Sequence, residues 1–439
     1  MQTPRLLKLP DFPLKEYFIK FYRETGVDFY FVGGVVRDIL LGRDVNDIDL
    51  VPEKIDYVSC AEMLNRYIKG SFVHFKDNVR ITKGGFTIDI SRLRGLSIVD
   101  DLKKRDFTIN NLAYHFEKGL LGDPTDLNNK IIRAVSDQSF LDDPLRVLRG
   151  YRFASQFGFT IEPHTGVLMK RYAPLLVDIP AERINKELNE TLLGENFLRI
   201  LDTMIEDDIF LIIFPIFKTI KGLYGGVYHI EDVLSHTFSV VKILYDMIKG
   251  YNETDRLILI LAALLHDVGK GDEIFKATPG KFVGHEEISA KLTIEVLKKL
   301  TYPVKIIKEV STLVKKHGII RKYATNGAKE ITLLKFIFEN YGILEKLIAL
   351  SVADAQSKNR CDISFHNTIE RIRSLIPRID LSRKDLINGN DIIKMGVEKG
   401  PLLGKILDDL HFRLCAGIIK DRGELDNYLR MKMKELGVS

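Results

Sequence analysis

The stretch that decides the fold reads GGVVRDILLGRDVNDIDL and occupies residues 33–50. It predicts a glycine turn, a short helix and then a strand on which Asp47 and Asp49 are two residues apart, so that both side chains point to one face. Two carboxylates held this close repel each other unless a cation lies between them. Hard oxygen ligands of this kind suit Mg²⁺, which completes its coordination shell with water and phosphate. The strand therefore predicts a magnesium site.

The two glycines before the predicted helix indicate a phosphate site beside these acids. Gly33 and Gly34 have no Cβ, so a triphosphate can approach the backbone N–H groups at the helix start. Arg37, on the first turn, offers a guanidinium for a further phosphate contact. Taken alone, a DxD pair usually belongs to a solvated strand edge and a GG pair to an ordinary turn. Their order and spacing favour the functional interpretation.

Length and composition limit the class of protein to which the chain can belong. The chain has 439 residues, which predicts two to four domains, and its 45% hydrophobic and 28% charged residues are ordinary for a globular protein. Its net charge of +5 is compatible with a polyanionic partner. No apolar run approaches the roughly 20 residues of a membrane span, and we expect no secretion signal. Three cysteines far apart in sequence exclude a disulfide framework and favour a reducing cytoplasm.

The pattern along the chain predicts an α+β fold. Strand-like and helix-like runs alternate in the first part, with a turn at Gly84-Gly85, and helical spacing dominates from Asp142 onward. The glycine-rich stretch at 221–229 is the best internal boundary. The predicted domains are a head at 1–141, a helical neck at 142–220, a helical body at 221–375 and a helical tail at 376–439.

Two further runs combine acids with arginines. KKRDFTINNLAY, residues 103–114, places Arg105 and Asp106 at the start of a predicted helix, where Asp106 also suits an N-cap. DDPLRVLRGYRF, residues 142–153, places Asp143 and Arg146 side by side at a helix start. The arginine row continues at the same spacing through Arg149 and Arg152. A buried arginine row requires anions; the alternative is a solvated face that nearby acids neutralise.

An Asp/Arg pair is able to select bases without a template. A carboxylate accepts a hydrogen bond from an exocyclic amine, and a guanidinium donates to a ring nitrogen or carbonyl. Cytosine and adenine both present an amine beside a ring acceptor, whereas uracil and guanine present a carbonyl in its place. Such a pair accepts C and A and rejects U and G.

A second constellation lies in the helical body. LAALLHDVGKG is an apolar helix that ends in His-Asp, and imidazole with carboxylate suits Mn²⁺, Ni²⁺, Fe²⁺ or Zn²⁺. A single histidine on such a helix is usually a satisfied core residue, but the number and spacing here favour a metal site. The candidate ligands are His236, His266, Asp267, His285, His317 and Asp354.

Residues 33–50 resemble motif A of the DNA polymerase β-like nucleotidyltransferases, in the class II branch that contains bacterial CCA-adding enzymes and poly(A) polymerases. The resemblance is dense over 28–220 and continues over 230–360, where the histidine block resembles the HD phosphohydrolase superfamily. It implies a polymerase-β-like head followed by an extended helical neck, HD body and tail. It also implies that Asp47 and Asp49 hold two metal ions. Asp89, in FTIDISRLR, is either a third carboxylate near the metals or a structural acid.

The same resemblance suggests roles for the other runs. Residues 103–114 are similar to motif B, which gives Arg105 a sugar or phosphate contact and Asp106 a ribose or hinge role. Residues 142–153 are similar to the family's nucleotide-reading motif, with Asp143 and Arg146 in the reading positions. Arg149 and Arg152 would then hold phosphate or sugar. The family consensus begins this motif with Glu where this chain has Asp142, and Glu182 and Arg183 of PAERINKEL are expected to shape packing.

The implied function is template-independent addition of C, C and A to the 3′ end of tRNA from CTP and ATP. Pyrophosphate is released, and the helical part grips the tRNA through phosphate and shape contacts. The HD block implies a second divalent transition metal and an accessory phosphohydrolase.

Several alternatives stay open. Related enzymes add only CC or only A, and bacterial poly(A) polymerases usually carry a long basic tail, whereas this tail mixes acidic and basic residues. CC-only enzymes lack a flexible loop between motifs A and B. An alternative of another class is an HD metal-dependent 2′,3′-cyclic phosphodiesterase whose head only binds RNA. The sequence does not fix the oligomeric state.

Overall fold

The computed structural model describes residues 14–224, 232–275, 281–358 and 361–435. The chain divides into two compact units between Pro215 and Ile216. This division lies close to the boundary predicted at 220/221, although residues 225–229 of the glycine-rich stretch are outside the described residues, as are 1–13. The boundaries predicted at 141/142 and 375/376 each fall inside one unit and stay predictions. Within the described residues, no helix combines the length and apolarity needed to cross a membrane.

The first unit begins with a mixed region whose seven strands form one sheet. These strands are β1 (Phe29–Val32), β2 (Asp47–Pro52), β3 (Ser71–His74), β4 (Asn78–Lys83), β5 (Phe86–Ser91), β6 (Ala113–His115) and β7 (Gly119–Leu121). The strand order is β3-β4-β5-β2-β1-β6-β7, in which β2 and β5 are parallel and the other neighbours antiparallel. The parallel pair carries the predicted carboxylates at the middle of the sheet.

Both faces of this sheet are covered, which explains why every residue of β1 is buried. Phe29 and Phe31 pack with Phe18 on one face, with ring centroids 6.2 and 5.2 Å apart. Tyr30 and Val32 join a buried apolar cluster on the other face. The helices around the sheet are α1 (Lys15–Thr25), α2 (Gly34–Leu40), α3 (Tyr57–Ile68) and α4 (Ile98–Lys103).

The rest of the first unit is mainly helical. Its helices are α5 (Thr125–Asn128), α6 (Ser139–Asp142), α7 (Arg146–Phe157), α8 (Pro163–Tyr172), α9 (Ala181–Leu193), α10 (Phe197–Glu206) and α11 (Ile209–Ile213). Two short parallel strands, β8 (Ile131–Ile132) and β9 (Thr160–Ile161), join the region before α7 to the region after it. Their pairing brings the segment that follows the C-terminal end of α7 next to residues 131–132.

The described part of the second unit is helical, apart from an isolated bridge between Tyr224 and Asp232. Its first seven helices are α12 (Val233–Met247), α13 (Glu253–Leu265), α14 (His285–Lys299), α15 (Val304–Lys316), α16 (Ile319–Asn326), α17 (Glu330–Asn340) and α18 (Leu344–Ser357). The last four are α19 (Ile363–Leu375), α20 (Gly389–Ile393), α21 (Pro401–Cys415) and α22 (Arg422–Glu435). The last three helices share an apolar cluster of their own.

The α+β fold class is therefore confirmed, with one local prediction wrong. Arg105 and Asp106 do not open a helix over 103–114. The chain instead forms a short 3₁₀ turn at Thr108–Asn110 and then enters β6. The cause is tertiary: the segment bridges to Ala134 through Phe107 and pairs with β1, and these backbone hydrogen bonds replace those of a helix.

Candidate active site

The carboxylates of β2 and β5 lie together at the middle of the sheet. Asp47 is exposed and Asp49 half-buried, and Asp49 is in register with Asp89 on the parallel neighbouring strand. Burial, together with the charges of Asp89 and Asp47, raises the pKa of Asp49 to about 6 against the opposing effect of Arg105. Carboxylates crowded in this way are typical of a site where their oxygen atoms bind a divalent cation.

Asp89 is bound more tightly by the protein than the other two acids. Its Oδ1 accepts hydrogen bonds from Arg80 Nε at 2.9 Å and Asn78 Nδ2 at 3.0 Å, and its Oδ2 accepts from Arg80 Nη2 at 2.7 Å. A bidentate guanidinium neutralises a carboxylate and fixes its orientation. The contacts with Arg80 are what a structural role for Asp89 requires. The strand register nevertheless places Asp89 next to Asp49, where it could also contact a metal ion.

These acids border a cavity of 530 Å³. Eleven of the sequence-predicted site residues line it: Gly33, Gly34, Arg37, Asp47, Asp49, Arg105, Asp106, Asp143, Arg146, Arg149 and Arg152. Three separate sequence runs thus meet at one place, with the metal-binding acids on the strand side and guanidinium groups around the rest. Three further residues line the cavity without having been predicted as site residues, namely Arg94, Asn110 and Arg183. Arg183 carried a weak signal, since it lies in the PAERINKEL run.

Gly33 contributes space to this cavity. Its φ of +69° lies in the region that only glycine adopts readily, and a Cβ there would be 2.5 Å from Arg105 Nη1. The Gly33 N–H donates to the Leu112 carbonyl at 2.9 Å, so it continues the sheet and does not face the cavity. Arg105 is held from behind by Asp101, which accepts from its Nη2 at 2.7 Å. The glycine therefore allows a guanidinium to approach the backbone beside the carboxylates.

Arg37 is buried and bound by the protein. Its Nη1 donates to Asn110 Oδ1 at 2.7 Å and its Nε to Asp38 Oδ1 at 2.9 Å, while the guanidinium lies 4.7 Å from the centre of the Phe157 ring. These contacts fix α2 against the turn that contains Asn110. Arg37 lines the cavity wall with most of its donors already used.

The arginine row on α7 receives its anions from the protein. Arg149 Nε donates to Asp106 Oδ2 at 2.8 Å, and Arg152 Nη1 donates to Glu190 Oε2 at 2.6 Å. Glu187 lies 2.8 Å from Arg152 and 3.4 Å from Arg149. Acids of the protein itself thus neutralise these two half-buried arginines, so no bound anion is needed to explain their burial. Their proposed phosphate or sugar contacts stay predictions.

Asp106 is the centre of this network. Burial disfavours its charge, but Arg149, Asn110 and the Phe107 N–H together hold the pKa of Asp106 well below its ordinary value of 3.8. In turn, Asp106 and Glu187 raise the pKa of Arg149 despite its burial. The segment of residues 103–114 is thereby fixed to α7 through an ion pair between buried Asp106 and half-buried Arg149.

Asp143 and Arg146 line the same cavity but have different partners. Asp143 Oδ2 accepts a hydrogen bond from Arg183 Nη2 of α9 at 2.7 Å. Arg146 donates to the Lys104 carbonyl at 2.8 Å and, less closely, to the carbonyls of Arg105 and Ser139. The expectation that Arg183 only shapes packing is incomplete, because its guanidinium neutralises the carboxylate assigned to base reading.

The six histidine and aspartate candidates of the second unit form one buried cluster. Two groups of ligand atoms lie within 4.8 Å of one another and share Asp267; they are His236, His266, Asp267 and Asp354, and Asp267, His285 and His317. Each histidine uses Nδ1 for a protein contact, as when His266 meets the Ala263 carbonyl at 2.8 Å and His317 the Val314 carbonyl at 2.7 Å. This arrangement fixes the tautomer and turns Nε2 toward the cluster, as in metal-binding histidines.

Two buried atoms of the cluster face each other without a hydrogen bond. Asp267 Oδ1 and His285 Nε2 lie 3.0 Å apart, and neither has a hydrogen-bond partner among the described residues. Burial lowers the pKa of His236 and of His317 to about 4, so both rings are neutral, as metal ligands must be. Burial also opposes a charge on His266, but the carboxylates of Asp267 and Asp354 raise its pKa to about 9. The carboxylates are also paired with lysines, since Lys270 Nζ lies 2.6 Å from Asp267 Oδ2 and Lys358 Nζ lies 2.6 Å from Asp354 Oδ1.

Comparisons with known protein families match three parts of the chain. Residues 29–95 match the poly(A) polymerase head domain, residues 158–221 the probable RNA- and SrmB-binding site of polymerase A, and residues 233–354 the HD domain. The carboxylates of β2 and β5 lie in the first match. The six residues of the histidine cluster all lie in the third.

Relatives and solved structures extend this similarity over most of the chain. An A-adding tRNA nucleotidyltransferase of Deinococcus radiodurans is 28% identical over 86% of this chain and 89% of its own length. A CC-adding tRNA nucleotidyltransferase of Thermus thermophilus is 29% identical over 92% of this chain and 94% of its own. The structure of a Thermotoga maritima CCA-adding enzyme in complex with tRNA matches with a TM-score of 0.65 and 25% identity, covering 98% of this chain and 97% of that one.

Proposed function

Because this chain belongs to the class II family of CCA-adding enzymes and poly(A) polymerases with an HD domain, we propose that it adds C, C and A to the 3′ end of tRNA from CTP and ATP. The observation that carries this proposal is the single cavity in which carboxylates, close-packed glycines and an Asp/Arg set meet. No nucleic-acid template is needed where side chains of the protein themselves contact the base edge.

The reaction joins the RNA 3′-hydroxyl oxygen to the α-phosphorus of the nucleotide. The bond from that phosphorus to the bridging oxygen breaks at the same centre, and pyrophosphate leaves. Enzymes of this family depend on divalent metal, and we assign its binding to Asp47 and Asp49 and its identity to Mg²⁺. Bound there, it would lower the pKa of the attacking hydroxyl and neutralise phosphate charge.

The chain's own residues prepare the nucleotide site. Arg105, held by Asp101, is in place to bind phosphate or sugar beside Gly33. Asp143 offers its carboxylate to the exocyclic amine of C or A, and Arg146 its guanidinium to the ring acceptor. Because Asp143 binds Arg183 and Arg146 binds backbone carbonyls in this structure, base binding exchanges protein partners for base edges. Uracil and guanine place a carbonyl opposite Asp143, which leaves the carboxylate without a donor.

CC-only addition is the alternative that an experiment has to separate from CCA synthesis, since the Thermus relative carries that activity in its name.

One experiment separates these functions. A tRNA lacking its last three nucleotides and a tRNA lacking only the terminal A are incubated with CTP, ATP or both, and the products are resolved on a sequencing gel. Addition of three nucleotides with both substrates supports CCA synthesis. Addition that stops after two, with no extension of the second tRNA by ATP, supports CC-only addition. No transfer to either tRNA contradicts both.

For the histidine cluster we propose a divalent transition metal and an accessory phosphohydrolase activity. The support is the convergence of four Nε2 atoms and two carboxylates, with Asp267 Oδ1 and His285 Nε2 left without a hydrogen bond. Hydrolytic opening of an RNA 2′,3′-cyclic phosphate to a terminal phosphomonoester, lost in His266→Ala, would support the activity. A chain that holds metal without any hydrolysis would show the cluster to be structural.

A further inference from the structure

A second cavity, of 640 Å³, adjoins the first at the carboxylates. The two cavities share Asp49, Ser91 and Arg94, and the second continues toward the start of α3 and the turn between β3 and β4. Its volume is within the roughly 300–1,000 Å³ typical of sites for small ligands. A nucleotidyl transfer requires two substrates that meet at the metal-binding acids. The first cavity accounts for one of them.

The second cavity is lined by three acids, Asp49, Asp77 and Asp89, and by three basic side chains that the protein does not pair. In the part of the chain that the structure describes, the side chains of Lys76, Arg92 and Arg94 form no ion pair and no hydrogen bond. By contrast, carboxylates, amides or carbonyls bind five arginines that line only the first cavity: Arg37, Arg105, Arg146, Arg149 and Arg152. Of the acids in this cavity, Asp89 on β5 is neutralised by Arg80. Available cations at a cavity wall attract a phosphodiester backbone.

The same wall contains a surface on which a base can stack. Tyr57 is the first residue of α3 and is half-buried, and the Arg92 guanidinium lies 5.8 Å from the centre of its ring. Unpaired RNA bases stack on aromatic rings and on arginine planes, and such stacking is tolerant of sequence. That tolerance suits an acceptor end whose last base changes with each nucleotide added.

We propose, building on the tRNA nucleotidyltransferase function above, that this second cavity binds the 3′-terminal nucleotide of the acceptor RNA. Tyr57 and Arg92 form the stacking surface for its base, and Lys76 and Arg94 bind the adjoining phosphates. The terminal 3′-hydroxyl is then directed to Asp49, where the two cavities meet. The nucleotide and the RNA end thus reach the acids from different cavities.

The test is steady-state kinetics of CMP addition to tRNA lacking its last three nucleotides. Tyr57→Leu and Arg92→Ala are each expected to raise the KM for tRNA about tenfold, which corresponds to one lost stacking contact, and to leave the KM for CTP unchanged. Tyr57→Phe keeps the ring and is expected to return the KM for tRNA toward the wild-type value. Arg66→Ala, an exposed arginine on α3 outside both cavities, is the matched control.

Photo-cross-linking keeps the proposal testable if a variant is unstable. A tRNA with 4-thiouridine as its 3′-terminal nucleotide is expected to cross-link wild-type protein within residues 57–94, near Tyr57 or Arg92. Cross-links confined to α7 or to the second unit, or variants that change the KM for CTP and leave that for tRNA unaltered, would overturn the assignment. Failure of the wild-type chain to add any nucleotide would instead contradict the proposed function itself.

Discussion

At the scale of single residues, neighbours decide what each polar side chain can do. Asp47 and Asp89 lie on paired strands, yet Asp47 is exposed and Asp89 is bound by a guanidinium. In the sequence, both residues are acids on predicted strands, and nothing distinguishes their environments. Because only the fold brings Arg80 to Asp89, the sequence left its role open between metal ligand and structural acid.

Asp47 provides the most direct test of the metal assignment. Asp47→Asn is expected to reduce nucleotide transfer to background, because an amide cannot replace the charge of a carboxylate toward Mg²⁺. The exposed position of the side chain predicts an unchanged thermal midpoint. Transfer is measured with tRNA and CTP, and melting by circular dichroism.

Asp44→Asn is the matched control, since Asp44 is an exposed acid in the loop just before β2. It is expected to retain activity. Normal transfer in Asp47→Asn would refute the assignment of the metal to β2.

Gly33 links backbone conformation to nucleotide binding. Gly33→Ala is expected to cost about 1–3 kcal/mol of stability because of its backbone conformation, and also to weaken CTP binding, since the new Cβ would displace Arg105. Urea unfolding and equilibrium CTP titration measure the two effects separately.

Gly42→Ala separates the effect of backbone strain from the effect of displacing Arg105. Gly42 has a similar φ of +67°, but a Cβ there would meet open space. Only stability is expected to fall in that variant. Equal CTP affinity in the two alanine variants would contradict the role given to Gly33.

At the scale of elements, charged pairs join segments that are distant in sequence. Arg149 of α7 binds Asp106, and Arg152 binds Glu187 and Glu190 of α9. Helical periodicity correctly predicted α7 and its arginine stripe. It could not identify the anions, because the acids come from segments more than 30 positions away in sequence.

The Asp106–Arg149 pair predicts a pH dependence of stability. Asp106→Asn is expected to lower the free energy of unfolding by about 3 kcal/mol at neutral pH, since it removes the nearer of the two carboxylates that pair with Arg149 and leaves only Glu187 at 3.4 Å. A carboxyl whose pKa is depressed in the folded state contributes stability above its ordinary value of 3.8 and loses it as the pH falls below that value. The difference between wild type and variant should therefore shrink below about pH 4.

Urea unfolding at pH 7 and at pH 3.5 measures this difference. Asp178→Asn, an exposed acid at the end of the same unit's 3₁₀ segment before α9, is the control and should show a small effect at both values. If the difference in unfolding free energy between wild type and Asp106→Asn were the same at pH 7 and pH 3.5, Asp106 would not act through its charge.

At the scale of the whole molecule, two units each contain one candidate metal centre. The carboxylates of β2 lie in the first unit, and the histidine cluster lies in the second. The two ligand sets differ in chemistry, since one is made of oxygen only and the other combines imidazole with carboxylate. Their responses to metal ions should therefore be separable.

Metal removal tests the second centre in the full chain. After dialysis against a chelator, addition of Mn²⁺ or Ni²⁺ is expected to raise the thermal midpoint, and saturation at 100 times Kd contributes about 2.7 kcal/mol. His317→Ala is expected to remove most of this shift, because it deletes a buried ligand. His366→Ala, on an exposed position of α19, should retain it. A shift that survives in His317→Ala would place the ion elsewhere.

The sequence by itself determined which residues carry charge and how local periodicity orients them. It was therefore sufficient for the α+β class, for β2 with its two acids, for α7 with its arginines and for the histidine set. Only the tertiary structure decided which groups neutralise one another: Arg80 with Asp89, Arg183 with Asp143, Glu187 with Arg149 and Arg152. It also converted the predicted helix at 103–114 into a turn and a strand. The physical reason is that hydrogen bonds and ion pairs depend on distances in space, and a folded chain sets those distances between residues that its sequence keeps far apart.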